Sequence, residues 1–253
     1  MVRFAACLTS HQSSNQSGLC DHLRCASHQP EIARQKLRDY GTAGDHASGI
    51  LALISRLPRS HCPAVLRLGL TAGQLTLMDG SHHAPENLRL NPKGLVPTLA
   101  MDALVLTQPV AIWDYLDEMR RRRFLPTHTA GRARMGGLSK AMAMWIAPVC
   151  NLSLRNFAAK ACGGAITADD WQLHFMQLGL AAVERMLDHP TTSTCCHGDG
   201  VTIADICLVP QIYNARRAGV DLADYPKIAG IMAVLDTFSA IAAIHPGMHT
   251  PTT

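Results

Sequence analysis

From Pro109 to the end of the chain, apolar side chains recur at three- and four-residue spacings; ahead of Pro109 they come mostly in runs of four or five. The first spacing lines one face of an α-helix, and runs that short fit buried strands. A chain that changes period this way places its sheet in the N-terminal half and packs helices after it. The apolar run at 50–54 and the short stretches 74–78, 98–101 and 104–107 predict strands. Between the first two, residues 62–72 show helical spacing and end at Gly73, and residues 55–73 together are just long enough for a helical crossover between parallel strands. Asp102-Ala103 leaves room only for a hairpin between the last two.

Pro109 suits the first position of a helix, which runs through Ile112, Tyr115 and Leu116 to the arginines at 120–123. Cations at a helix C-terminus meet the negative end of its dipole, so this cluster reads as a solvated helix end, not a nucleic-acid patch. Further helices are expected at 129–158, 168–188, 202–218 and 226–237. Residues 1–48, rich in Ser, Gln, His and Asn and without sustained periodicity, are expected to be a weakly ordered extension. The first twenty residues carry Arg3 and no acid, as in a transit peptide, but Asp21 and the scarcity of arginine speak against one. That leaves an α/β domain over 49–123 and an all-helical domain over 129–253.

Composition excludes several classes. With 47% hydrophobic and 17% charged residues the chain has material for a core, and a net charge of +4 is too mild to imply nucleic acid. The longest apolar run, ten residues at 141–150, is short of the ~20 that span a bilayer. Nine irregularly spaced cysteines do not form a disulfide framework, which makes a reducing cytoplasm the default. Aromatic residues are only 5%, so the core must rest on Leu, Ile, Val, Ala and Met. Cys20, His22, Cys25 and His28 have zinc-ligand composition, but their spacing fits no standard finger, and no metal is expected. Cys195-Cys196-His197 lies in a polar loop.

Two motifs make the chain recognisable. Asn91-Pro92-Lys93-Gly94-Leu95-Val96-Pro97-Thr98-Leu99 resembles the segment leading to the cis-proline of thioredoxin-like glutathione-binding domains. Val201-Thr202-Ile203-Ala204-Asp205 resembles the N-capping box of the glutathione transferase helical domain, in which Asp205 reaches back to the helix start. Ser60-His61-Cys62-Pro63-Ala64-Val65-Leu66-Arg67 is similar to the zeta-class active-site signature, and Ile146-Ala147-Pro148-Val149-Cys150-Asn151-Leu152-Ser153 to its helical segment. Asp205 to Gln211 and Asn214 to Asp221 resemble its sixth helix, and His245-Pro246 its tail. Over residues 50–253 the chain is thus identified as a member of the zeta glutathione transferases. The resemblance implies the glutathione transferase fold: an α/β thioredoxin-like N-terminal domain plus an all-α C-terminal domain.

The resemblance also implies a function. Zeta enzymes include maleylacetoacetate and maleylpyruvate isomerases, which use glutathione as cofactor to turn a cis enedione trans. Ser60 falls on the family's catalytic serine, which stabilises the glutathione thiolate; its plain reading is a helix cap. Cys62 matches a position that is often Cys, and is either an activated thiol or a buried structural one. His61 either touches glutathione or is a partly exposed side chain. Val96 is expected to pair its backbone with glutathione like an added strand, and Gln108 to grip the γ-glutamyl end. Asn151 and Ser153 match a ligand-facing segment, although an intrahelical hydrogen bond serves Asn151 equally well. Arg217 matches the arginine that receives a substrate carboxylate, while Arg216 has no such counterpart. A homodimer is implied, with no nucleic-acid or membrane partner.

Departures from the family pattern favour a second reading, a non-catalytic scaffold dimer on the same fold. Pro109 stands where the family has a serine and removes a hydroxyl and a backbone donor. Ala64 and Val65 replace an aromatic residue and an arginine, and Ala147 replaces Gln or His. Conjugation or reductive dehalogenation would use the same thiolate.

Overall fold

The computed structural model describes residues 36–38, 80–101, 104–119 and 124–242, all within the unit Arg34–Thr253. The expected strands at 50–54 and 74–78 and the helix at 62–72 lie outside the described residues. So do Ser60, His61 and Cys62.

The described sheet has three antiparallel strands in the order β1 (Lys36–Arg38), β2 (Thr98–Met101) and β3 (Leu104–Thr107). The register pairs Arg38 with Thr98 and Leu37 with Leu99, and on the other side Thr98 with Thr107 and Met101 with Leu104. The β2–β3 hairpin falls where the sequence places it. β1 falls inside the stretch whose composition suggests a weakly ordered extension. Three residues carry no readable alternation; β2 supplies the partner groups that make them a strand.

Ahead of β2, Ser81–His83 form a 3-10 turn and Pro85–Leu90 a short helix, α1, that no apolar period announces. After β3 comes α2 (Pro109–Met119), with Pro109 in its first turn as expected. α3 (Thr129–Lys140) passes into a π-helical segment, Ala141–Ile146, and a short turn, Ala147–Val149. α4 (Leu152–Ala161), α5 (Ala168–Met186), α6 (Ile203–Arg217), α7 (Pro226–Leu235) and α8 (Ser239–Ala242) follow.

The single helix expected over 129–158 is therefore corrected to α3 and α4 with a break between them. Pro148 is the cause. It has no N–H for the carbonyl four residues back and its ring crowds that carbonyl, and just ahead of it the Ala147 N–H reaches five residues back, to the Met142 carbonyl. Asn151 then turns extended, at φ −64° and ψ 144°, and restarts the helix.

α6 is the central helix, buried at 203–208 and 210–212 and exposed only at its arginine end. Its start is tied down by Asp205, wholly buried. That carboxylate accepts the Thr202 N–H at 2.7 Å, the Thr202 hydroxyl at 2.6 Å and the Cys196 N–H at 2.8 Å. α3 packs along α6, and α4 along α5. α5 comes close enough to the π segment that a side chain at Gly179 would lie 2.5 Å from Ile146 Cγ1. The core runs without interruption from Leu99 to Ile241. Trp113 of α2 meets Phe124 with ring centroids 6.0 Å apart, and the Phe124 carbonyl accepts the Ile203 N–H at 3.1 Å. With few aromatic residues, thioethers fill the gaps: Met135, Met142, Met176 and Met232 are all buried.

Candidate active site

The register brings three features to one end of the hairpin. Because Thr98 pairs with both Arg38 and Thr107, the C-terminal end of β1, the loop before β2 and the residue after β3 emerge together. The loop residue Val96 is joined to Pro97 by a cis peptide bond, as the sequence motif implies. The residue after β3 is Gln108, the only described non-glycine residue at positive φ, 72°.

The loop is built by its own side chains. Asn91 is buried; its Nδ2 donates to the Leu95 carbonyl at 2.6 Å and its Oδ1 accepts the Lys93 N–H at 3.2 Å. Gly94, at φ 59°, lies against the His83 ring, where any Cβ would collide with Nδ1. Asn91 and Gly94 thus fix the path by which Val96 reaches the surface. Neither the Val96 N–H nor its carbonyl bonds another described residue. Those two groups fit the main chain of a peptide ligand, which would add to the loop as a strand does.

Gln108 is exposed, and its carbonyl accepts the Ile112 N–H at 3.0 Å, so it is the residue from which α2 starts. The first-turn N–H groups of a helix have no partners within it, and its dipole places partial positive charge there. That end of α2 suits a carboxylate beside the Val96 loop. Pro109 withholds one donor from the set. Glutathione, a peptide with two carboxylates, fits this combination of open backbone and helix start.

The helical candidates stand differently. Asn151 is the N-cap of α4: its Oδ1 accepts the Ser153 N–H at 3.0 Å and the Ser153 hydroxyl at 2.9 Å. The hydrogen-bonding reading of Asn151 is the one observed, leaving its Nδ2 as donor; Ser153 is exposed. Arg217 ends α6, exposed, with its guanidinium carbon 5.9 Å from the centre of the Tyr213 ring. Arg216 forms an ion pair with Asp236 at 3.5 Å, in keeping with its lack of a family counterpart. Burial pushes the Cys150 thiol up to about 11 and the Cys195 thiol to about 12, so neither supplies a thiolate near neutral pH. Asn91, Gly94 and His83 shape the path of the loop. The motif contained the first two; only the fold brings the third to them.

No model of a known protein family matches the chain. Individual proteins do. It is 47% identical over 177 residues, 69% of this chain and 83% of the other, to maleylacetoacetate isomerase of Rhizobium meliloti. Maleylacetoacetate isomerase of Methylobacterium extorquens, solved with bound malonate and glutathione, superposes with a TM-score of 0.75 at 27% identity, over 85% of this chain and 98% of that one. A bacterial maleylpyruvate isomerase described as a zeta-class glutathione transferase superposes with a TM-score of 0.76 at 28% identity, over 86% and 99%. These likenesses cover the glutathione transferase fold as a whole, the thioredoxin-like part together with the helical one. The chain belongs to the maleylacetoacetate isomerase family, in the zeta class of the glutathione transferases.

Proposed function

We propose that this chain is a glutathione-dependent cis–trans isomerase of a maleyl-type diacid. The observation that carries the reading is the hairpin end, where the open backbone of Val96 lies beside Gln108 and the start of α2. Bound glutathione supplies the sulfur nucleophile that adds reversibly to the substrate double bond. The protein's part is to bind, orient and balance charge. Val96 pairs with the ligand main chain, and Gln108 holds its γ-glutamyl end. Ser60 donates its hydroxyl to the thiolate, with His61 and Cys62 beside it. Asn151 and Ser153 face the ligand from the start of α4. Arg217 takes a substrate carboxylate, for which a guanidinium offers two parallel donors. Malonate bound with glutathione in the Methylobacterium relative supports a diacid. We place the enzyme in the cytoplasm as a homodimer. Among the described residues no helix is long and apolar enough to cross a membrane.

The test is isomerisation of maleylacetoacetate and of maleylpyruvate, followed by absorbance with and without glutathione. Turnover that requires glutathione is the expected result; none from folded protein returns the chain to the scaffold reading that Pro109 and Val65 favour. Arg217→Ala is expected to raise KM for the diacid about 10- to 100-fold, the worth of a charge-assisted hydrogen bond, with KM for glutathione held. An unchanged KM for the diacid would remove Arg217 from the site.

A further inference from the structure

The segment between α5 and α6 is held by polar contacts instead of regular structure. Thr192 and Gly198 form an isolated bridge, the Gly198 N–H donates to the Thr191 carbonyl at 2.7 Å, and the Cys195 N–H donates to the Gly198 carbonyl at 3.0 Å. Two charged groups lock this loop from outside. Arg134 of α3 donates to the Cys196 carbonyl at 2.7 Å, to Thr192 Oγ1 at 2.6 Å and to the Met186 carbonyl at 3.2 Å. Asp205 of α6 accepts the Cys196 N–H. Closed in this way, Cys195 and Cys196 are 0% and 1% exposed. Thr192 and Ser193 of the loop also border a crevice of about 590 Å³, lined by His189, Lys227 and Ile231 among others.

His197 sits on the lock. Its ring centroid is 5.6 Å from that of His128, the residue just ahead of α3. Its Nδ1 is buried and has no hydrogen-bond partner among the described residues. The charged and titratable groups that face it are Arg134 and His128 from the α3 side, His189 from the loop itself and Asp205 from α6. Asp199 of the same loop is engaged by the Ser193 and Thr194 hydroxyls. A proton added to His197 would therefore stand beside a guanidinium, on a ring whose Nδ1–H finds no acceptor.

We propose that His197, paired with His128, is an acid-sensitive latch on the loop that seals Cys195 and Cys196. Neutral, it leaves Arg134 and Asp205 to hold the loop shut; charged, it repels Arg134 and lets the loop swing toward the crevice. Burial, then Arg134 and the two histidines, hold the His197 pKa below the ordinary histidine value. A lowered folded-state value means that the contribution to closure is fully present above about pH 6.5. It is lost as the pH falls through the folded-state pKa.

Hydrogen exchange on the full chain at about pH 7.5 and about pH 5, corrected for intrinsic rates, tests this. Opening at the Cys195, Cys196 and Gly198 amides is expected to rise at least about threefold at the lower pH while the α5 amides hold. His197→Gln, neutral at either pH, is expected to abolish the rise. No rise, or the same rise in the variant, overturns the latch. Should that variant fail to fold, an NMR titration of His197 in the unaltered chain decides: its midpoint must coincide with that of loop opening, and a separate midpoint overturns the proposal.

Discussion

Gln108 adopts a backbone conformation that a side chain ordinarily avoids, and it does so at the hairpin end, where the Val96 loop also emerges. A left-handed residue other than glycine costs about 1–3 kcal/mol and persists only where its surroundings impose it. Here β3 ends at Thr107 and Pro109 fixes the first turn of α2, so Gln108 takes up the whole change of direction. Glycine would make the same turn without the penalty. Gln108→Gly is therefore expected to leave the melting temperature unchanged or higher while raising KM for glutathione about tenfold. A fall in stability with KM unchanged would make Gln108 a purely structural residue. At the level of residue identity the sequence offered candidates, since the motifs named Val96, Gln108 and Arg217. Conformation was not legible: a positive φ at Gln108 and the capture of Asn151 Oδ1 by Ser153 depend on neighbours that only the fold supplies.

At the scale of elements, what could be read depended on how strongly local sequence outweighs pairing. The β2–β3 hairpin and helices α5, α6 and α7 lie within two residues of their expected ends, because turns and caps mark them. Thr167 with Asp170 and Thr202 with Asp205 are such marks. β1 was hidden because three residues become a strand only through their partner. The break between α3 and α4 was passed over because the apolar spacing carries on across Pro148. That break leaves the π segment bulging against α5, and Gly179 is the accommodation. Gly179→Ala is expected to destabilise the chain by about 1–3 kcal/mol, the usual cost of overpacking, read as a lower urea midpoint at unchanged slope. An unchanged midpoint would mean that Ile146 turns aside without cost.

At the scale of the molecule, α2 and α6 meet through Phe124, so the hairpin that presents Val96 and the helix that ends in Arg217 rest on one core. The hairpin end and Arg217 thus belong to parts that cannot shift independently without disturbing Trp113, Phe124 and Ile203. The scarcity of aromatic residues has a further consequence, for chemical damage. Four of the thioethers that fill this core, those of Met135, Met142, Met176 and Met232, are at most 2% exposed, whereas Met144 is 66% exposed on the π segment. Hydrogen peroxide converts accessible methionine to its sulfoxide and does not reach a packed one. Peptide mass analysis is expected to find Met144 oxidised ahead of the four core methionines. The four core methionines should follow only at the rate at which the whole chain opens, each sulfoxide then blocking its return. If the core methionines oxidise as fast as Met144, the interior is looser than its packing implies. Otherwise the sulfur atoms of this core act as a clock, recording how often the molecule has come apart.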